Sequence, residues 1–124
     1  MTLRRVLIVE DEWLIARDHV STLTAAGHTV VGPVATVPKA IALLETEQVD
    51  LALLDFQLGT ETSAPIAQRL AQHGIPFIVV TGHSETDFSP EFATGLILAK
   101  PATPEQLRLA VEQLTKLRES DDPK

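Results

Sequence analysis

Apolar residues in this chain come in short runs that stop abruptly at charged or turn-forming residues, and this punctuation limits the fold more than any other feature. Residues 6–9 (VLIV), 30–31 (VV), 51–54 (LALL), 77–80 (FIVV) and 96–98 (LIL) are such runs. They are short, partly β-branched and mostly apolar on both sides, which is how strands covered on both faces look. Helical spacings lie between them. Trp13, Ala16, Val20 and Leu23 recur at helical intervals, and Gly27 ends that stretch. Thr36 and Pro38 open a segment carrying Ala40, Leu43 and Leu44. Ile66, Ala67, Leu70 and Ala71 make a third stripe, closed by Gly74. The last helix has the fullest start signal. Thr103 is its N-cap, Pro104 its first residue, and Gln106 completes a capping box ahead of the buried face Leu107, Ala110, Val111 and Leu114.

Strand and helix patterns alternate along the chain. That order predicts an α/β domain: a five-stranded, mostly parallel sheet with helices on both faces, joined by right-handed crossovers. Residues 83–94 (HSETDFSPEFAT) contain a proline and no apolar stripe, so the fourth helix is expected to be short or irregular. The domain is expected over residues 1–118, with 119–124 as a polar tail. A chain of 124 residues that is 44% hydrophobic can bury one real core. The absence of cysteine excludes disulfides and thiolate metal sites. No apolar run approaches the ~20 residues that span a bilayer, and the first is too short for a signal peptide, so a cytoplasmic location is expected. A net charge of −7 opposes nonspecific binding to nucleic acid.

In open α/β sheets, ligands bind at the carboxyl ends of the strands. The residues that follow each run therefore matter most. Glu10, Asp11 and Glu12 follow the first, Asp55 the third, Thr81 and Gly82 the fourth, and Lys100 and Pro101 the fifth. Gathered at one edge, the carboxylates would repel each other and raise at least one pKa. A divalent cation with oxygen ligands relieves this, and Mg²⁺ suits a site with a few carboxylates and retained waters. Asp55 would be the ionised nucleophile, with Lys100 and the Thr81 hydroxyl holding the oxygens of a transferring phosphoryl group.

The motifs VLIVEDE (6–12), LALLD (51–55), VVTG (79–82) and AKP (99–101) together resemble those of response-regulator receiver domains, from about residue 5 to residue 117. The resemblance implies the flavodoxin-like strand order 2-1-3-4-5, for which a receiver is a standing example. It implies that Asp55 takes a phosphoryl group from a phosphohistidine on a sensor histidine kinase or a histidine phosphotransfer protein. Asp11, Asp55 and the backbone carbonyl of Gln57 would bind Mg²⁺ directly, and Glu10 through water. Thr81 would face the aspartyl phosphate and Lys100 would pair with a phosphoryl oxygen. The phosphorylated state would change contacts with a downstream protein target, and the chain would be a monomer or weak dimer. If nothing follows Lys124, it would act without an output domain of its own.

Three positions depart from the family pattern. Ile97 stands where an inward-swinging aromatic is usual, the stretch from Thr81 to Lys100 is short, and FQLG (56–59) lacks the common proline. PFIVVTG (76–82) is similar to the signature of the FAT GUY group of single-domain receivers, which also lack the aromatic. His83, two residues past Thr81, and Gln57 are expected to influence hydrolysis of the acyl phosphate. His19, His28 and His73 are too scattered for a metal site and are expected at the surface or at helix ends, and Trp13 is expected in packing. A haloacid-dehalogenase-type phosphatase would need a second aspartate where Gln57 stands. A flavodoxin-like carrier would need a phosphate-binding first loop, which Glu10–Asp11–Glu12 contradicts. A degenerate receiver that serves only as a binding adaptor is the remaining alternative.

Overall fold

The computed structural model describes residues 4–82 and 90–121. In chain order it contains β1 (Arg5–Val9), α1 (Trp13–Ala25), β2 (Thr29–Val34), α2 (Val37–Thr46) and β3 (Leu51–Asp55). A small hairpin follows, made of β4 (Gln57–Leu58) and β5 (Glu61–Thr62). Then come α3 (Ala64–Gln72), β6 (Phe77–Thr81), a 3-10 turn at Pro90–Phe92, β7 (Leu96–Ala99) and α4 (Pro104–Asp121). The main sheet runs β2-β1-β3-β6-β7 and its pairings are all parallel. With the hairpin set aside, this is the expected 2-1-3-4-5 order.

Strand side chains alternate between faces, so each run feeds two cores at once. Leu7, Val9, Ala52, Leu54, Phe77 and Val79 pack with α2, α3 and Phe92 on one face. Val6, Ile8, Leu51, Leu53, Ile78 and Val80 pack with Leu23 of α1 and Leu107, Ala110, Val111 and Leu114 of α4 on the other. This is why the runs carry no polar alternation. The helix ends form by local chemistry. Thr36 Oγ1 accepts from Lys39 N at 3.3 Å. The capping box closes reciprocally, Gln106 N donating to Thr103 Oγ1 at 3.1 Å and Thr103 N to Gln106 Oε1 at 2.9 Å. Gly27 (φ 95°) closes α1 in the left-handed region, which a side chain would resist.

Several expectations need correction. The second strand is longer than its two valines, because hydrogen bonding to β1 carries it from Thr29 to Val34. Trp13 is not a packing residue: it is 68% exposed, with the Arg17 guanidinium 5.7 Å from its ring. As the first residue of α1 it lies past the end of β1, where no strand is left to cover it. The buried stripe of α1 is Ala16, His19 and Leu23. His19 and His28 are thus buried rather than superficial. His28 Nδ1 accepts from Arg4 N at 3.0 Å, which satisfies it beside the start of β1. Ala71 faces outward. Between β6 and β7 the described backbone holds only the 3-10 turn, anchored by buried Phe92 against Phe56 at 5.2 Å between ring centroids. α4 carries helical backbone through Asp121, into the segment expected as a tail.

Candidate functional site

Parallel pairing brings the strand ends to one edge. Val9 lies opposite Leu54, Asp55 opposite Val80, and Thr81 opposite Ala99. Asp55 and Thr81 are the last residues of β3 and β6, and Lys100 and the Glu10–Asp11 pair follow β7 and β1 directly. The ladder continues one step past the strands: Lys100 N donates to Thr81 O at 2.9 Å and Phe56 N to Val80 O at 3.0 Å. The chain order reverses between β1 and β3, so Glu10, Asp11 and Asp55 flank the sheet's switch point.

Carboxylate oxygens of Glu10, Asp11 and Asp55 lie within 4.8 Å of one another. Their surroundings differ. Asp55 and Glu10 are each 4% exposed, whereas Asp11 is open to solvent. Burial is the main cause that pushes the Glu10 carboxyl from 4.5 up to about 8. The hydrogen bond from Glu12 N to Glu10 Oε2 (3.1 Å) opposes this, and the nearby Asp55 carboxylate adds to it. Lys100 Nζ approaches Asp55 Oδ1 to 2.9 Å. Burial alone would lower the Lys100 pKa, but the Asp55 carboxylate outweighs it and the net direction is up. Asp55 Oδ1 is buried, with the Lys100 ammonium as its ion-pair partner. The donor set is all oxygen and carries several charges. Such a set suits a hard divalent cation.

The hairpin after Asp55 was not expected from the sequence, although LGTE (58–61) offers a signal: glycine opening a two-residue turn between short extended pieces. Gly59 sits there at φ 64°. Its N–H donates to Asp11 Oδ2 at 3.0 Å. The Gln57 side-chain amide donates to Gly59 O (3.0 Å) and Glu61 O (3.2 Å), so it is committed to the hairpin. Thr81 is buried at the rim and Ile97 half-buried opposite Val79. His83 lies outside the described residues.

On the α1 side, a cavity of about 410 Å³ adjoins the Lys100 stem and is lined by Ile15, His19, Thr22, Pro104 and Leu107. His19 Nδ1 is buried there without a hydrogen-bond partner among the described residues, and burial lowers the His19 pKa. The sequence does not show this neighbourhood, because only the packing of α1 against α4 brings His19 beside it.

Comparison with known proteins gives one consistent result. The family model for the response regulator receiver domain matches residues 6–112. The alginate biosynthesis transcriptional regulatory protein AlgB of Pseudomonas aeruginosa is 32% identical over 120 residues, which cover 93% of this chain and 26% of that protein. The chain therefore spans about a quarter of that regulator's length. The solution structure of SdrG from Sphingomonas melonis Fr1 is 39% identical, covers 93% of this chain and 99% of its own, and superposes with a TM-score of 0.78. A response regulator receiver domain protein from Methanospirillum hungatei JF-1 superposes at 0.87 with 26% identity, over 97% of this chain and 99% of its own.

Proposed function

The chain belongs to the response regulator receiver domain family, and from that premise we propose that Asp55 is its phosphoacceptor, supplied by a phosphohistidine on a sensor histidine kinase or a histidine phosphotransfer protein. The observation that carries this reading is buried Asp55 Oδ1 held 2.9 Å from Lys100 Nζ, beside the Glu10 and Asp11 carboxylates. A carboxylate oxygen of Asp55 forms the new P–O bond as the P–N bond of the donor breaks. The donor imidazole leaves with the bonding pair and takes up a proton. Lys100 transfers its ammonium contact from the bare carboxylate to a phosphoryl oxygen, and Thr81 donates its hydroxyl to another. Asp11, Asp55 and the backbone carbonyl of Gln57 would hold Mg²⁺, with Glu10 reaching it through water, and the ion would supply positive charge to the phosphoryl oxygens.

The product adds a charge of about −1.5 to −2 at the end of β3. That charge draws Lys100 and Thr81 into new positions and shifts the turn that follows β3. Ile97 lacks the ring that would report such a shift through β7, so the change reaches a protein target from the surface around the end of β3. The test is incubation with Mg²⁺ and a small phosphodonor, followed by intact mass. The expected result is a gain of one phosphoryl group that requires Mg²⁺ and disappears in Asp55→Ala. No gain would leave the adaptor that only binds partners, and a gain retained in Asp55→Ala would place the acceptor elsewhere.

A further inference from the structure

Asp11 is the exposed member of the acidic cluster, and nothing in its own helix holds it. It precedes α1, whose N-cap residue Glu12 makes no side-chain capping bond. A carboxylate in that position samples several rotamers in water, and ordering it costs entropy. In this structure one bond from a distant part of the chain orders it: Gly59 N donates to Asp11 Oδ2 at 3.0 Å across 48 residues.

The hairpin that presents this N–H is built for the purpose. Leu58 is buried in the core, which fixes β4 to the body of the domain. The turn needs Gly59 at φ 64°, and the space where its side chain would sit is open, with no atom within 4 Å. The glycine is therefore required by backbone conformation and not by crowding. Gln57 then ties the tip down. Both of its bonds go to carbonyl oxygens, Gly59 O at 3.0 Å and Glu61 O at 3.2 Å, so its NH₂ end must face the turn. A two-residue strand pair is marginal without such support.

We propose that the β4–β5 hairpin is a clasp for the acidic cluster, in which Gln57 and Gly59 are positioning residues that set Mg²⁺ affinity by orienting Asp11. This deepens the proposed function and rests on it. The bond to Oδ2 fixes the plane of the Asp11 carboxylate, and Oδ1 would be the oxygen left to take a cation. The arrangement also assigns the Gln57 side chain a task distinct from that of its backbone carbonyl.

The experiment is Mg²⁺ titration of the full chain by calorimetry, paired with thermal melts in chelator and in saturating Mg²⁺. Gln57→Leu keeps the size and the backbone carbonyl but removes both amide bonds. Gly59→Val cannot hold a positive φ, whereas Gly59→Asn tolerates it and keeps the N–H. Gln57→Leu and Gly59→Val are expected to weaken Mg²⁺ binding by about tenfold, the usual scale for a lost second-sphere partner. The melting temperature of Gln57→Leu in chelator should stay near that of the wild type, and in both variants the rise on adding Mg²⁺ shrinks. Gly59→Asn should bind within about twofold of the wild type, because asparagine tolerates the positive φ that aims this backbone N–H at Asp11 Oδ2. Should Gly59→Val fail to fold, Gln57→Leu decides alone. Wild-type Mg²⁺ affinity in Gln57→Leu would overturn the clasp and leave the phosphoacceptor reading standing. A wild type that binds no Mg²⁺ would bring down that reading, and the clasp with it.

Discussion

Glu10→Gln isolates the charge conflict at the centre of the site. Burial pushes the Glu10 carboxyl up from 4.5 to about 8 in the folded chain. Between those values the folded state keeps a proton that the unfolded state has released. Stability from this group is therefore fully present below 4.5 and is lost as pH rises through about 8. Each factor of ten is worth about 1.4 kcal/mol, so the full loss is roughly 3–5 kcal/mol. Glutamine mimics the protonated acid and can still accept from Glu12 N, so its variant carries no such slope. In chelator, urea melts should give similar stabilities for the two proteins at about pH 5 and a variant more stable by roughly 3 kcal/mol or more at about pH 9. Saturating Mg²⁺ should flatten the wild-type profile, since a bound cation compensates the ionised carboxylate. Parallel wild-type and variant profiles in chelator would refute the reasoning, because they would mean that Glu10 is solvated enough to ionise freely.

Lys100→Met removes the cation beside Asp55 Oδ1; phosphorylation by a small donor, followed by intact mass against time, should slow by about a hundredfold, the scale for one lost electrostatic donor. Thr103→Ala breaks the capping box that starts α4 and should cost about 1 kcal/mol in denaturant melts. His19, with its pKa lowered by burial, contributes stability that is full above 6.5 and declines as pH falls through the folded value. His19→Phe should remove that decline, read as the difference between the two acid unfolding curves.

Much of this protein is legible in its residues taken one segment at a time. The apolar runs gave two-sided strands because each strand feeds both cores, as Leu7 and Ile8 do from adjacent positions. The capping box of Thr103 and Gln106 is local hydrogen-bond chemistry and formed as its spacing predicts. The convergence of Glu10, Asp11, Asp55, Thr81 and Lys100 follows from parallel topology alone, since every strand then ends at the same edge.

What only the tertiary structure decided is how those residues differ from each other. Glu10 and Asp11 are neighbours in sequence, yet Glu10 is buried, which raises its pKa, and Asp11 is open to water. Trp13 and His19 share one helix, and the end of the strand exposes the first while the α1 face buries the second. The Gly59 bond to Asp11 joins residues 48 apart. Periodicity encodes which residues face the sheet, because it is a property of adjacent positions. Burial, charge coupling and orientation depend on what distant segments place nearby, and those are the quantities that turn five polar residues at strand ends into a site.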